Sequence, residues 1–380
     1  MHRILFIPHG SDPNLNVRGR ELAEALATRQ DCEVFCIEYA RNFSNRFIDK
    51  LWFLIANLLR TIEVSPLTKR FSLIRFPYLN LALTPRTLPL IRRFADSQIE
   101  QIIKKIRPTI IVNESHFAIT VARSSNYQLI YDLVDDHLPG SIDGWFGQMV
   151  AKFTTKQLAL ADRIWTISHT LIDKLGFLGH HDVQYVPNGT QLETFRSQRS
   201  LRGDELKELR LKLNLENKYT IGYIGNHASW SGIDFVIKLA KAAPPDWHFL
   251  VIGGGTEVDA HQPNNFSNLQ FLGAIPREKI AQYFLTVDVG ILPFIKNSLT
   301  DSALPLKIIE YGAAHKVVVA EPLTELEYLQ LPYVRFPKER TPEAWLETLQ
   351  QVQNSNWQQI WNTSVAAYDW QTIAQHIKFD

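Results

Sequence analysis

Pro305-Leu306-Lys307-Ile308-Ile309-Glu310-Tyr311-Gly312-Ala313-Ala314, running directly into His315-Lys316-Val317-Val318-Val319-Ala320, is the stretch that decides the architecture. Pro is favourable in a first helical turn, and Ser302 or Asp301 just upstream can cap one, so a helix is expected to begin here. The β-branched run that follows reads as a strand. A helix start presents free amides and the positive end of its dipole, which favours an anion such as a pyrophosphate. Lys307 adds a full charge in that turn. Glu310 lies three residues on, on the same face, where its carboxylate can accept bonds from two vicinal hydroxyls of a ribose. Together they suit a nucleotide. On spacing alone, the same two residues also serve as an ordinary Lys–Glu pair on a solvated face.

Working outward, this helix and strand sit in a series of β-rich runs separated by helical segments: 220–225, 249–254, 269–273, 289–293 and 317–320, with Leu323 to Leu331 beyond. An earlier series precedes it, at 4–8, 34–39, 110–114, 129–134, 164–168 and 183–187. Strands alternating with helices make parallel sheets with crossovers. Between the two series, after Asn188-Gly189-Thr190, a charged stretch from Arg196 to Lys218 reads as a boundary with one solvated helix. The expected fold is therefore α/β, with two doubly wound Rossmann-like domains facing a cleft: residues 1–195, residues 196–355, and C-terminal crossover helices over 356–380. In those last residues, Asp369-Trp370 is expected to break one helix from the next, and the helices are expected to pack back on the N-terminal domain. In such sheets ligands sit beyond the carboxyl ends of the strands.

The composition agrees with a globular, two-domain chain of 380 residues: 45% hydrophobic, 21% charged, with 18 Gly and 19 Pro. The net charge of +1 disfavours a nucleic-acid binder with an overall basic field. Only two cysteines occur, Cys32 and Cys36, with no His or Cys at zinc-ligand spacing, so neither a disulfide scaffold nor a metal module is indicated, and two inert thiols in a reducing compartment are expected. The N-terminus reads as a first core strand rather than a secretion signal. The longest apolar stretch, Leu51 to Leu59, is too short to span a bilayer.

Five motifs in order carry a resemblance to a known family. They are Ala161-Asp162-Arg163-Ile164-Trp165-Thr166-Ile167-Ser168, Val186-Pro187-Asn188-Gly189, Phe271-Leu272-Gly273, Asp288-Val289-Gly290-Ile291-Leu292-Pro293-Phe294, and the 305–313 run before 317–319. With these the chain resembles the GT-B glycosyltransferases of group 1, in particular the bacterial envelope-polysaccharide branch. The resemblance implies transfer of a sugar from a nucleotide-sugar held by the second domain to an acceptor held by the first, without a cofactor or an obligatory metal. It implies that Glu310 binds ribose and that Lys307 and the helix end bind phosphate. It places the loop carrying Pro276 and Arg277 over the base and the Gly253-Gly254-Gly255 loop near the donor.

The chain departs from the pattern twice. The acidic residue expected eight positions before Glu310 to hold the donor sugar is Ser302, with Asp301 beside it. The Arg and Lys expected after the first strand of the second domain are absent from Gly225-Asn226-His227-Ala228-Ser229-Trp230. Gly225 and Asn226 remain donor-loop candidates, since a glycine lets backbone approach phosphate. Glycines after a strand also admit an NAD-linked reading through the loop that begins at Gly253, without an acidic residue at ribose spacing to support it.

In the first domain, Tyr131-Asp132-Leu133-Val134-Asp135-Asp136-His137 ends a strand with three carboxylates and an imidazole. Such a cluster can raise one pKa and supply a general base to an acceptor hydroxyl. Asp135 is the first candidate and Asp132 the second, placed on opposite faces by strand parity. His116 competes with both. Gly10 and Arg18, near the start of the first helix, are acceptor-binding candidates.

Residues 41–107 hold 13 Lys or Arg against four Asp or Glu, interleaved with Phe43, Phe47, Trp52, Phe53, Phe71, Phe76 and Tyr78. That mixture suits a surface docking to anionic lipid, and equally a buried helix with solvated flanks. The expectation is a cytoplasmic enzyme, peripheral on the inner membrane, using a UDP-, GDP- or ADP-sugar and a saccharide or lipid-linked acceptor. The alternative is a catalytically silent protein of the same fold that binds nucleotide-sugar or partners in an assembly complex.

Overall fold

The computed structural model describes residues 1–9, 18–39, 61–76, 87–115, 119–201, 203–255, 266–360 and 365–379. They form two compact units, 1–167 with 171–186 and 374–380, and 168–170 with 187–373.

The first unit is built on an eight-stranded sheet of β1 (His2–Ile7), β2 (Cys32–Tyr39), β3 (Glu63–Pro66), β4 (Phe71–Phe76), β5 (Ile110–Asn113), β6 (Gln128–Leu133), β7 (Arg163–Thr166) and β8 (Val183–Tyr185). Its order is β3-β4-β2-β1-β5-β6-β7-β8, and only β3 runs antiparallel to its neighbour. Ile4 to Ile7 are wholly inaccessible, as a parallel strand covered on both faces requires. The strand order reverses between β1 and β5, so the loops after these two strands diverge and leave a crevice at their carboxyl ends.

The second unit holds β9 (Tyr219–Ile224), β10 (Trp247–Ile252), β11 (Leu269–Gly273), β12 (Val289–Leu292), β13 (Val318–Ala320) and β14 (Val334–Arg335), all parallel. Its order is β11-β10-β9-β12-β13-β14, with the reversal between β9 and β12. Both units are thus doubly wound α/β sheets, as the alternating runs imply.

Several expectations are corrected. Residues 323–331 supply no strand: Thr324–Leu329 is a helix, and the sheet closes instead with the two-residue β14. The charged boundary stretch forms two helices, Leu192–Leu201 and Gly203–Lys212, rather than one. Within the basic stretch, β3 and β4 form a sheet edge, and Phe71, Leu73 and Ile74 are core residues, so Phe71 offers nothing to a lipid surface. Residues 41–60 lie outside those described. Among the described residues no helix is long and apolar enough to cross a membrane.

Among the described C-terminal residues only Trp370–His376 is α-helical, beginning after Asp369; short 3₁₀ turns at 358–360 and 366–368 precede it. Its last residues pack on the first unit. Arg29 Nη1 donates to the carbonyls of Ala374 (2.9 Å) and Ile377 (2.6 Å), and its guanidinium lies 5.4 Å over the Phe379 ring. Cys32 and Cys36 are buried free thiols on β2, and burial raises the pKa of both.

Candidate functional site

Helix Leu306–Ala313 lies beside the strand-order reversal of the second unit and is seated rigidly. Ile308, Ile309, Tyr311, Gly312 and Ala313 are all buried, and the Tyr311 hydroxyl donates to the Gly222 carbonyl of β9 at 2.6 Å. Gly290 on β12 makes this possible, because a Cβ there would sit 2.7 Å from the Tyr311 ring. The N-cap is Pro305, which has no capping oxygen; Ser302 and Asp301 end the preceding short helix, Ser298–Asp301. The expected cap at Ser302 or Asp301 is therefore displaced, and the first turn keeps its amides without a side-chain acceptor. Asn188, from the Val186-Pro187-Asn188-Gly189 motif, anchors this start by donating from Nδ2 to the Leu304 carbonyl at 2.7 Å.

Glu310 is completely inaccessible. Its Oε2 accepts from Lys307 Nζ at 2.8 Å, and its Oε1 accepts from Arg277 Nη1. Burial pushes this carboxyl up, but the two cations more than reverse that and hold it below the usual range, so it is ionised at neutral pH. A solvated surface pair is excluded by that burial. Arg277 opens helix Arg277–Thr286, which Pro276 introduces as its N-cap.

The loops after β9 and β10 lie side by side. Gly225 N donates to the Ile252 carbonyl, and His227 N donates to the Gly254 carbonyl. Gly253, at φ +139°, approaches so closely that a Cβ would fall 1.7 Å from the Gly225 carbonyl oxygen. Gly225 in turn lies beside Lys307: its own Cβ would be 3.8 Å from Lys307 Cγ. Asn226 is exposed at this turn. His227 is fully buried, and burial lowers its pKa, so the loop brings no cation. Ser302 is also fully buried, with its carbonyl accepting the Ser168 hydroxyl at 2.5 Å. The neighbouring Asp301 carboxylate is taken by Thr324 N (2.7 Å), Thr324 Oγ1 (2.8 Å) and Lys296 (3.2 Å).

In the first unit, three carboxylates in one short run meet three environments. Asp132, fully buried on β6, makes a two-pronged pair with Arg18, whose Nε and Nη2 donate at 3.1 and 3.0 Å; Nη2 also donates to the Val186 carbonyl at 2.8 Å. Asp136, also buried, accepts from Lys174 Nζ and Ser141 Oγ, both at 2.5 Å. Asp135 lies in the loop beyond Leu133, where β6 has ended, so strand parity does not govern it. Its carboxyl is raised to about 7 by burial and by Asp136, with Arg18 opposing.

Two groups that no sequence motif marks gather here. Glu114, directly after β5, is buried, and its Oε2 has no hydrogen-bond partner among the described residues. Burial, then Asp132, raise it to about 8. Its Oε2 would lie 2.1 Å from a Cβ at Gly19, and Pro8 Cβ 2.7 Å from it, so any side chain there would force its neighbours to shift. His9, directly after β1, is lowered to about 4 by burial and by His137, itself lowered to about 4 by burial. Glu114 and His9 both stand at the strand-order reversal, a signal available once that order is known. Gly10 and His116 lie outside the described residues. Among the described residues no cluster of His, Cys, Asp or Glu could hold a metal ion.

Residues 218–354 match the model of the group 1 glycosyl transferases. A Bacillus subtilis (strain 168) protein, TuaH, named as a glycosyltransferase of teichuronic acid biosynthesis, is 28% identical over 170 residues, covering 44% of this chain and 41% of that protein. The aligned part thus spans about two fifths of the relative's length. The sucrose-phosphate synthase of Thermosynechococcus elongatus has a similar fold, with a TM-score of 0.72 at 16% identity over 99% of this chain and 97% of that one. Anabaena HepE, in complex with UDP and glucose, gives 0.66 at 14% identity over 99% and 98%. Residues 218–354 thus resemble the group 1 glycosyltransferases, and as a whole the chain has the GT-B fold of these solved structures.

Proposed function

We propose that the chain is a glycosyltransferase of envelope-polysaccharide synthesis that moves a sugar from a nucleotide-diphosphate sugar to a saccharide or lipid-linked acceptor. The observation that carries this reading is the buried, ionised Glu310 a helical turn from Lys307, at a helix start beside two glycine loops. Glu310 takes the ribose diol. Lys307 and the first-turn amides balance the diphosphate, in place of the cations missing after β9 and without an obligatory metal. A UDP-sugar is the first donor to test, since HepE was captured with UDP and glucose; the polysaccharide assignment leans on the name of TuaH. In the transfer, the acceptor oxygen bonds to the anomeric carbon, the bond from that carbon to the β-phosphate oxygen breaks, and the nucleoside diphosphate leaves with the electron pair.

Asp135 takes the acceptor proton if the reaction inverts. Its raised pKa gives opposite signs for stability and rate. The unfolded carboxyl releases its proton near pH 4 and the folded one near 7. Its contribution to stability is therefore full below about pH 4 and lost as pH rises through about 7. A base must be ionised, so kcat/KM rises over that range. Asp135→Asn is expected to lower kcat about 10²-fold or more and to remove this ascending limb from the pH profile; an unchanged limb assigns it to another group, with Glu114 next in line.

A silent nucleotide-sugar binder is the second reading, favoured by one observation: at Ser302 the sugar-holding acid is replaced by a buried hydroxyl residue, and Asp301 is committed to Thr324. Turnover of radiolabelled UDP-glucose separates the two, because a silent protein binds without releasing UDP. Cytoplasmic, peripheral attachment through residues 41–107 belongs to the first reading. Failure of the chain to sediment with anionic vesicles at low salt would remove it.

A further inference from the structure

We infer that Arg277 is a positioning residue that sets the plane of the ribose-binding carboxylate, holding one oxygen of Glu310 while Lys307 holds the other. This rests on the reading of Glu310 as the ribose ligand, and it gives Arg277 a different task from covering the base.

The two cations are not equivalent. Lys307 is on the same helix as Glu310, three residues away, so it moves with it; its ammonium is a point charge on a flexible stem and fixes no orientation. Arg277 comes from a separate element, the helix after β11, and its planar guanidinium meets Oε1. The helix backbone under Glu310 is already locked by Tyr311 against β9 and β12. Arg277 adds a second reference point on the other side of the sheet's reversal, so the carboxylate plane is defined relative to the whole C-terminal edge of the sheet.

Counting acceptors shows what this arrangement leaves available. An ionised carboxylate offers about four lone-pair sites. One on each oxygen is taken by a cation, which leaves one on each oxygen, the number and spread that two vicinal hydroxyls need. Two cations on one carboxylate also leave a net positive charge, which favours an anionic ligand close by. Arg277 and Lys307 are each about a quarter exposed, at 27% and 24%, whereas Glu310 shows no exposure, so a ribose reaches the remaining lone pairs only as these two side chains swing partly aside.

The test is calorimetric titration of the full chain and of Arg277→Ala and Arg277→Lys with UDP and with 2′-deoxy-UDP. Wild type is expected to prefer UDP by about tenfold or more, the effect of one hydrogen bond to a charged group. Arg277→Ala should weaken UDP by about tenfold and collapse the preference to within about twofold. Arg277→Lys should recover part of the affinity but not the preference, because an ammonium does not orient the carboxylate. A loss of overall fold would weaken both nucleotides alike and leave their ratio unchanged, so the ratio is its own control. A preference that survives Arg277→Ala overturns this inference alone. A wild-type chain that binds UDP with no ribose preference overturns the ribose role of Glu310 and this inference with it.

Discussion

Glu310→Ala is expected to abolish the thermal stabilisation that a nucleotide-sugar confers and to lower kcat/KM by about 10²-fold or more. Two hydrogen bonds from ribose hydroxyls to a buried carboxylate are lost together, each of the stronger, charge-assisted kind. Bound donor raises apparent stability by mass action, so the loss is read directly as a missing shift in melting temperature with UDP-glucose. The substitution also removes the carboxylate that Arg277 and Lys307 share. A fully buried unpaired charge costs about 3–5 kcal/mol, but these two side chains reach solvent, so the cost to the unliganded fold falls below that range. The signature is therefore a modest fall in the melting temperature of the free protein with a complete loss of the ligand-induced rise. A ligand shift equal to that of wild type places the nucleotide elsewhere.

Asp132→Ala is expected to have the largest effect on stability. Arg18 is 7% exposed and meets a fully buried Asp132 through two hydrogen bonds, so removing the carboxylate leaves a guanidinium with little access to water. The expected cost is about 3–5 kcal/mol, which lowers the melting temperature of a unit of this size by about 10 °C. The pair joins residues 114 apart in sequence, and Arg18 also holds the Val186 carbonyl, so the loss reaches both β6 and the segment after β8. The double replacement Arg18→Met with Asp132→Leu should recover much of the loss, since an apolar pair of similar volume replaces a desolvated ion pair at little cost. If Asp132→Ala melts like wild type, the pair contributes nothing to the fold, and Asp132 returns as a rival to Asp135 for the base.

What could be read in advance followed local physics. The β1 run, the alternation of strands with helices and the Lys307–Glu310 spacing are all properties of a few consecutive residues, and each reappears in the structure. The partner of Glu310 from outside its helix was not legible, because Arg277 is 33 residues upstream and arrives through the β11 to β12 crossover. The same reason hides the Arg18–Asp132 pair: the sequence marks Arg18 as an acceptor-binding candidate and Asp132 as a base, with nothing in either neighbourhood to join them. Glu114 is not legible as a site residue either, since its burial depends on Gly19 and on β1 and β5 being neighbours. The edge strands β3 and β4 are not legible because their short runs lie among Arg and Lys, a pattern that reads as surface. Serine and aspartate cap well, so the sequence points to Asp301 or Ser302 as the cap, whereas the observed cap is Pro305, which follows them.

The central claim is that Glu310 and Lys307 hold the nucleoside diphosphate of the donor. A crystal structure of the chain soaked with UDP tests it most directly. The account predicts ribose O2′ and O3′ within hydrogen-bonding distance of the Glu310 carboxylate, with a phosphate oxygen at Lys307 Nζ and the first turn of the 306–313 helix. UDP bound at any other place, with the Glu310 oxygens still facing only Lys307 and Arg277, would contradict it.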